Sequence, residues 1–311
     1  MARLIDGLGG PRGFGEHALG RTDDGSSSPI DITPIFEDGL NFFGSETNQV
    51  FINANGGITF NDPRSQFTPD VITSESQNPE ITPYFADVDT RKSDSSIPDG
   101  GTNLGATGSS NLTPTDGGTS TGANQIYYDF DRENDRFIIT WDDVGYYNRK
   151  TNKLNAFQLI LEDRGNGDFG IEFRYEDINW TTGDASEGDN GLGGVVARAG
   201  WTAGTGNSDE FFELPASGKE SSMLGLPFLD GNKGEDGVWE FSVNEGDVTF
   251  ARNDTATVEP GGEITVTFDE LLSNDGDPQD LTVTDVDTVG FTMDPRNRTA
   301  SGYHGYGEFR W

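Results

Sequence analysis

The sequence predicts an all-β fold, an antiparallel β-sandwich followed by a small C-terminal β module. Glycine accounts for 43 of the 311 residues and proline for 14, so turns recur along the chain. Apolar runs are short, and residues 171–176 (IEFRYE) alternate between apolar and charged side chains. This period of two is typical of strands with one buried face, and no segment shows the sustained period of 3.6 that indicates a helix.

The first part of the chain contains an arm and an opening hairpin. Residues 1–38 are rich in glycine and polar side chains, and we interpret them as an N-terminal arm. The apolar run at residues 50–52 breaks at residues 53–57 (NANGG) and resumes at residues 58–60. Asn and Gly tolerate the positive φ that short hairpin turns need, so this pattern predicts strand, tight turn and strand.

The main predicted domain covers residues 39–245 and carries a low-complexity insertion at residues 93–124. Ser, Thr, Gly, Asn and Asp dominate the insertion, which therefore has too little apolar area to offset its ordering entropy. Residues 246–311 change character and are expected to form a partial β module with an aromatic tail. The densest strand region follows the insertion, with strands predicted at residues 126–130, 137–141, 156–161 and 170–175.

The net charge of −34 excludes two classes of partner. Nucleic acids and anionic membrane surfaces would repel so acidic a chain. Insertion into a membrane is not expected either, because no apolar run approaches the ~18 residues of a membrane span. The acidic excess has three interpretations: a solvated surface, a store of oxygen ligands for Ca²⁺, or adaptation to salty surroundings.

The chain contains no Cys. Secreted eukaryotic domains of this size usually carry disulfides, so this absence favours a bacterial or archaeal origin. The first twenty residues also lack the continuous apolar stretch of a conventional secretory signal peptide. We therefore expect a bacterial protein that is cytoplasmic, exported by another route, or separated from its leader.

Several short pieces of the chain resemble the nidogen-like (NIDO) domain, an extracellular module of matrix and adhesion proteins. Their order and spacing extend the resemblance over residues 38–217, and it implies a secreted or surface-exposed β-sandwich. The matching pieces are residues 41–44 (NFFG), 50–56 (VFINANG), 59–60 (TF), 82–91 (TPYFADVDTR) and the hairpin of residues 157–175.

The opening residues 7–27 also resemble bacterial relatives that occur in large, calcium-associated surface proteins. This chain departs from that pattern in two ways. Its insertion is longer than the basic pattern needs, and it lacks the Gly-Gly-x-Gly-x-Asp repeats of many bacterial relatives.

Residues 252–287 resemble the start of a bacterial cadherin-like or Ig-like repeat. The matching pieces are residues 253–258 (NDTATV), 272–277 (LSNDGD) and 281–283 (LTV). Ig-type sandwiches run to about 100 residues. Only part of such a repeat is therefore present, and it is either truncated or completed by a neighbour.

Two groups of acidic residues are candidate Ca²⁺ ligands. Asp87 and Asp89 occupy alternate positions of an extended segment, which places them on one face about 7 Å apart. Two carboxylates this close favour a cation, although Arg91 could neutralise one of them instead. For the second group, the resemblance to cadherin-like repeats implies calcium at acidic loops, and the alternative is turn chemistry alone. That group consists of Asp254, Asp275, Asp277 and Asp280.

Catalysis is not expected from this sequence. The two histidines, His17 and His304, lie in Gly-rich irregular segments, and there is no Cys to act as a thiol nucleophile. Paired carboxylates can hydrolyse glycosides, but a chain with 54 acidic residues offers such pairs without any catalytic meaning. We therefore expect a protein that is not an enzyme.

The sequence favours a non-enzymatic extracellular structural or adhesion protein that works through protein contacts. A partial sandwich leaves an open strand edge, which recruits a strand from another chain. We expect residues 246–311 to dock onto the next copy and build a head-to-tail filament, as in a biofilm or surface matrix; other matrix proteins are alternative partners. The expected buried anchors are the aromatic residues of the tail, Tyr303, Tyr306, Phe309 and Trp311.

The alternative is a monomeric calcium-dependent adhesin or lectin that binds a glycan or a matrix ligand. Sugar stacking needs an exposed aromatic ring, and Trp180 and Trp311 are the tryptophans expected to be exposed. Binding of a glycan that is lost with a chelator would favour this alternative.

Overall fold

The computed structural model describes residues 2–76, 78–91, 112–250, 254–255, 263–272, 275, 291–294, 299–303 and 308–309. The α-helices in these ranges are α1 (Glu220–Gly225) and α2 (Phe268–Leu271), and 3-10 turns occupy Asp184–Ser186 and Leu226–Phe228. Neither helix in this part of the chain is long and apolar enough to cross a bilayer. The strands in chain order are β1 (His17–Ala18), β2 (Ile30–Asp31), β3 (Leu40–Phe42), β4 (Ser45–Thr47), β5 (Gln49–Asn53), β6 (Gly57–Thr59), β7 (Glu80–Phe85), β8 (Gln125–Asp131), β9 (Arg136–Tyr146), β10 (Lys150–Gly165), β11 (Asp168–Ile178), β12 (Arg198–Thr202), β13 (Phe211–Glu213), β14 (Val238–Asn244), β15 (Asp247–Thr249), β16 (Asp254–Thr255), β17 (Glu263–Thr267), β18 (Phe291–Asp294), β19 (Thr299–Tyr303) and β20 (Glu308–Phe309).

Antiparallel pairing joins most of these strands into two sheets. A seven-stranded sheet has the order β1-β8-β9-β10-β11-β14-β15, and a six-stranded sheet has the order β13-β12-β7-β6-β5-β2. The pairs within both sheets are antiparallel. The predicted all-β, antiparallel sandwich is therefore confirmed.

Aromatic side chains fill the space between the two sheets. Tyr84 of β7 lies opposite Phe157 of β10, with ring centroids 5.2 Å apart, and Phe157 stacks on Trp141 of β9 at 4.9 Å. A second contact between the sheets joins Phe212 of β13 to Phe241 of β14 at 5.3 Å. Rings at these separations add to the free energy that burial of their area already provides, so they hold the sheets together.

The N-terminal segment forms a second layer on the outer face of the seven-stranded sheet. Its strand β1 pairs with β8. The amide nitrogen of Ile5 donates to Gln158 Oε1 at 2.7 Å, and Gln158 Nε2 donates back to Ile5 O at 2.9 Å. The segment interpreted as an arm is thus fastened along β10. The small hydrophobic cluster beneath it contains Leu4, Phe14, Ala18, Ala123, Tyr127 and Ala156.

One position of the alternating strand β11 departs from the sequence prediction. Glu176 belongs to the face expected to be wet, yet its side chain is fully buried. Its carboxylate accepts hydrogen bonds from the backbone amides of Leu4 (3.0 Å), Thr119 (2.7 Å) and Ser120 (2.8 Å). Burial works to raise the pKa of Glu176, but these bonds outweigh it and the pKa is lowered. The prediction was wrong here because strand periodicity does not reveal that two remote segments cover this strand.

The opening hairpin is formed by β5 and β6, as the sequence predicts. Asn53 pairs with Gly57 across the turn, and Gly56 within it has a φ of +87°. The turn packs against β7, because Gly56 O accepts hydrogen bonds from Thr82 Oγ1 at 2.6 Å and from Tyr84 N at 3.3 Å. Glycine is needed at this position both for its backbone conformation and for the close approach of β7.

The described C-terminal strands form two small antiparallel sheets. β17, β19 and β18 make a three-stranded sheet with β19 in the centre, and β16 pairs with β20. Tyr303 of β19 pairs with Glu263, and Phe309 of β20 pairs with Asp254. The backbone around two of the predicted tail anchors is therefore paired within the chain.

Substitution of Gly56 tests the packing of the opening hairpin. Gly56→Ala places a Cβ atom 1.7 Å from Tyr84 O at a φ of +87°, whereas Gly44→Ala meets nothing within 4 Å at a φ of +76°. Both variants carry the strain of a positive φ, but only the first forces the turn away from β7. We expect Gly56→Ala to lower the free energy of unfolding by about 1–3 kcal/mol more than Gly44→Ala in urea denaturation. Equal losses in the two variants would contradict this packing.

Substitution of Glu176 tests whether its carboxylate fastens the two covering segments. Gln keeps the shape but offers an NH₂ group where backbone amides donate, so Glu176→Gln should lower the free energy of unfolding at pH 7 by about 2 kcal/mol. Because the pKa of Glu176 is lowered in the folded protein, the wild-type contribution should persist above about pH 4.3 and fade as the pH falls through the folded pKa.

The matched control for this experiment is Glu162→Gln. Glu162 pairs with Arg136 at 2.6 Å, and both side chains are about a third exposed. Loss of such a pair should cost under about 1 kcal/mol. A loss at Glu176 no larger than at Glu162 would show that the carboxylate does not hold the segments.

Candidate metal centre

The segment after β7 carries two acidic side chains into the interior. This segment runs beside the end of β9, where Tyr147 N donates to Asp87 O at 3.1 Å and Asp89 N donates to Gly145 O at 3.1 Å. As a result Asp87 is 1% exposed and Asp89 is 0% exposed. Carboxylates in such positions are costly unless a hydrogen bond, an opposite charge or a proton compensates them.

Two further carboxylates come from the loop between β1 and β2. Thr22 N donates to Thr90 Oγ1 at 2.9 Å and Thr90 N donates to Thr22 O at 2.9 Å, which joins this loop to the segment after β7. One carboxylate oxygen each of Asp23, Asp24 and Asp87 consequently lies within 4.8 Å of the others. We call these three residues the aspartate cluster.

Asp89 lies beside the aspartate cluster but has its own partners. Arg91 Nε donates to Asp89 Oδ1 at 2.9 Å and Arg91 Nη2 donates to Oδ2 at 2.6 Å, while Arg149 N donates to Oδ2 at 2.8 Å. The same Arg91 Nη2 lies 2.9 Å from Asp23 Oδ2. The Asp–Arg pair considered as the alternative from the sequence is thus present at Asp89, and one guanidinium serves two carboxylates.

Two buried oxygens of the aspartate cluster accept no hydrogen bond from the described residues. These are Asp87 Oδ2 and Asp23 Oδ1, whereas Asp24 Oδ1 accepts one from Asn55 Nδ2 at 2.9 Å. Burial, followed by repulsion from Asp23, Asp24 and Asp89, raises the pKa of Asp87 to about 8. Burial and the neighbouring Asp89 and Asp24 raise the pKa of Asp23 to about 7. The arrangement therefore favours a cation or a proton among these carboxylates.

The second group of candidate Ca²⁺ ligands belongs to the C-terminal module, residues 246–311. Asp254 belongs to β16. Asp275 is buried at 8% exposure, and its amide nitrogen donates to Leu272 O at 3.2 Å. Asp277 and Asp280 lie outside the described residues. Calcium binding by this group stays a prediction.

The aromatic candidates for self-association are described only in part. Tyr303 belongs to β19 and Phe309 to β20. Tyr306 and Trp311 lie outside the described residues. Their role as anchors stays a prediction.

Two sequence predictions about aromatic and histidine side chains are wrong. Trp180, expected to be exposed, is 0% exposed, and its Nε1 donates to Val144 O at 3.0 Å. His17, expected in an irregular segment, begins β1 and stacks on Tyr128 with ring centroids 4.9 Å apart. Both lie in polar, Gly-rich stretches whose local sequence predicts loop. Remote residues decide otherwise, because Tyr84 and Tyr146 pack on Trp180 and β8 pairs with the strand that begins at His17.

A second group of buried carboxylates, not predicted from the sequence, accepts hydrogen bonds from backbone donors, although Asp143 Oδ1 has no partner among the described residues. Asp142 Oδ1 accepts a hydrogen bond from Thr121 N at 2.7 Å, and Asp143 Oδ2 accepts one from Gly122 N at 2.6 Å. Burial still raises the pKa of Asp142 to about 7 and that of Asp143 to about 6. These two residues of β9 hold the end of the insertion through the backbone amides of Thr121 and Gly122.

Asp87 is predicted from the sequence as a candidate ligand, whereas Asp23 and Asp24 are not. In the sequence those two residues open a polar run, residues 23–28 (DDGSSS), which predicts a loop. Nothing in their distance along the chain from Asp87 indicates contact. The only signal was the acidic doublet beside a glycine, and plain turns have the same composition.

The family of this chain follows from its sequence over the sandwich. The profile of the nidogen-like domain matches residues 48–245. The chain belongs to the nidogen-like domain family. In this nidogen-like protein the match includes Asp87, whereas Asp23 and Asp24 lie before it. The resemblance inferred over residues 38–217 is confirmed from residue 48 onward, and the cadherin-like resemblance of residues 252–287 stays a prediction.

Curated relatives of this nidogen-like chain include alpha-tectorin and nidogen. Alpha-tectorin of Mus musculus is 32% identical over 254 residues, which are 76% of this chain and 10% of the relative. Alpha-tectorin of Gallus gallus is 35% identical over 202 residues, 63% of this chain and 9% of the relative. Nidogen of Drosophila melanogaster is 29% identical over 239 residues, 71% of this chain and 16% of the relative. The chain thus spans a small part of these relatives, and no solved structure matches it.

The pH dependence of unfolding tests the buried state of Asp142. Its pKa is raised to about 7 in the folded protein, against about 3.9 in an unfolded chain. Between these values the folded protein holds a proton that the unfolded chain releases, so this group favours folding at low pH and that contribution is lost as the pH rises through the folded pKa. From pH 8 to pH 5 the free energy of unfolding of the wild type should rise by about 2 kcal/mol relative to that of Asp142→Asn.

The control is Asp209→Asn, which removes an exposed acid. Its pH profile should follow that of the wild type, because an exposed side chain changes little on unfolding. If Asp142→Asn also followed the wild type across this range, Asp142 would not be held in the buried, protonated state.

Proposed function

We propose that this nidogen-like chain is a non-enzymatic structural module of an extracellular matrix or cell surface. Membership of the nidogen-like family carries this proposal. Two relatives of this chain, alpha-tectorin and nidogen, are similar to it over most of its length. The fold supports it, because the buried carboxylates Glu176, Asp142 and Asp143 hold segments of the chain in place. Such a module works through its surface and its rigidity.

The proposed location is secreted or surface-exposed, as the family resemblance implies. The strongly acidic composition suits a module that stays soluble among other proteins. A bacterial origin and export without a conventional signal peptide remain predictions from the composition. Binding of Ca²⁺ by this chain also remains a prediction.

Within this role, the finer proposal is self-assembly through residues 246–311. β17 and β18 flank β19, and no strand of the described residues pairs with the outer edge of either. An open strand edge offers unpaired N–H and C=O groups to another chain. A contact of this kind between different faces of two copies does not close on itself and yields a filament.

The lectin or adhesin alternative has less support than self-assembly. Of the two tryptophans expected to form a sugar platform, Trp180 is fully buried and cannot stack on a glycan. Trp311 lies outside the described residues. Glycans and other matrix proteins remain predicted partners.

Sedimentation velocity and negative-stain electron microscopy of the purified chain test self-assembly. The full chain should form concentration-dependent assemblies, and the double variant Tyr306→Ser, Trp311→Ser should shift their onset to at least tenfold higher concentration. The matched control is Phe228→Ser, which removes an aromatic ring that is 67% exposed in the sandwich domain. Monomers at every concentration, or equal assembly of all three proteins, would overturn self-assembly through the tail.

A further inference from the structure

We propose that the aspartate cluster of Asp23, Asp24 and Asp87 is a Ca²⁺ site that fastens the N-terminal loop to the sandwich. This inference goes beyond the structural role proposed above and does not rest on it. It differs from the sequence prediction, which paired Asp87 with Asp89.

The spacing of the cluster fits one ion. One oxygen from each of the three carboxylates lies within 4.8 Å of the others. Ca²⁺ binds oxygen at about 2.3–2.6 Å, so two ligands on opposite sides of one ion are about 5 Å apart. A single ion can therefore reach Asp23, Asp24 and Asp87 without moving the backbone that carries them.

The state of the buried oxygens is a second observation that points to a cation. Asp87 is 1% exposed, and within the described part of the chain its Oδ2 accepts no hydrogen bond, as is true of the buried Asp23 Oδ1. Other buried carboxylates of this chain accept backbone N–H donors: Glu176 accepts three, and Asp142 accepts the amide of Thr121. Among the described residues neither Asp87 Oδ2 nor Asp23 Oδ1 has such a donor, so these carboxylates lack the compensation that the other buried acids receive.

The charges around the cluster also favour a cation. Four carboxylates meet here, those of Asp23, Asp24, Asp87 and Asp89, and Arg91 is the guanidinium that pairs with two of them. Repulsion among Asp23, Asp24 and Asp87 is therefore only partly relieved. A divalent ion between them converts this repulsion into attraction.

The chemistry of the donors selects calcium. All the side chains of the cluster offer oxygen, while His17 is stacked on Tyr128 and the chain has no Cys. Ca²⁺ accepts several carboxylates and completes its shell with carbonyl oxygens and water, whereas Mg²⁺ retains most of its water and takes one or two carboxylates. Zn²⁺ prefers nitrogen and sulfur ligands.

Binding would connect segments that are far apart in the sequence. Asp23 and Asp24 lie in the loop between β1 and β2, and Asp87 follows β7. The hydrogen bonds between Thr22 and Thr90 already join the two segments. An ion held by both sides strengthens that junction, so the loop should open less often when calcium is bound.

Calorimetric titration of Ca²⁺ into the full chain tests the site. Asp275, Asp277 and Asp280 are first replaced by Asn in every protein, so that binding in the C-terminal module does not contribute. In this background, Asp87→Asn and Asp23→Asn should each weaken the tightest site at least tenfold. Asp209→Asn removes an equal charge from an exposed position and should leave that site unchanged.

Thermal unfolding separates loss of binding from loss of folding. In chelator, Asp87→Asn should be at least as stable as its parent, because it replaces a buried carboxyl group crowded by neighbouring acids with a neutral side chain of the same shape. Addition of Ca²⁺ should raise the melting temperature of the parent and of Asp209→Asn but not that of Asp87→Asn. Magnesium at equal concentration should give a smaller shift than calcium in the parent.

Amide hydrogen exchange locates the effect. Calcium should increase protection at residues 21–25 and 87–90 of the parent protein and leave these residues unchanged in Asp87→Asn. Unchanged affinity in both Asp87→Asn and Asp23→Asn, or calcium-induced protection confined to other parts of the chain, would overturn the proposal. Neither result bears on self-assembly through the C-terminal tail, so the two proposals can fail separately.

Discussion

Contact between the aromatic side chains of the two sheets is the interaction on which the other features of this structure depend. Tyr84 and Phe157 meet across the sandwich at 5.2 Å, and Phe212 and Phe241 meet at 5.3 Å. Because these contacts set the six-stranded sheet against the seven-stranded sheet, the end of β7 lies beside the end of β9. The segment that carries Asp87 is held there, and the loop between β1 and β2 then closes over it. The sites outside the core are thus consequences of how the core packs.

Buried carboxylates also hold segments of this fold together, and the groups that bind them differ from one carboxylate to the next. The chain has 54 acidic residues but only 20 Lys and Arg, so most of its acids have no basic partner of their own. Backbone N–H groups serve instead at Glu176, Asp142 and Asp143, where the N-terminal segment and the end of the insertion return to the sheet. Each such bond anchors an irregular segment and satisfies an acid at the same time. Asp87 lacks that arrangement among the described residues, and burial with three neighbouring carboxylates raises its pKa to about 8.

Local sequence patterns predicted the elements well and their surroundings poorly. The hairpin of β5 and β6, with Gly56 in its turn, follows from the chemistry of residues 53–57. The burial of Trp180 and the strand at His17 were not predicted, because the residues that pack on Trp180 and pair with His17 come from distant parts of the chain. In the candidate site, Asp87 was predicted from its place after a strand. Asp23 and Asp24 were not, because their neighbours in the sequence carry no trace of a contact with β7.

The sequence by itself determined the fold class, the nidogen-like family and the acidic character of the surface. These properties depend on composition, on a period of two and on turn residues, all of which are local. The tertiary structure alone decided which acids are buried, what neutralises each one, and which segments they hold. Those outcomes depend on contacts between residues far apart in the chain, where burial and the geometry of donors set whether Asp89 pairs with Arg91 and Asp87 meets Asp23. The same residue type therefore has different roles at positions that look alike in the sequence.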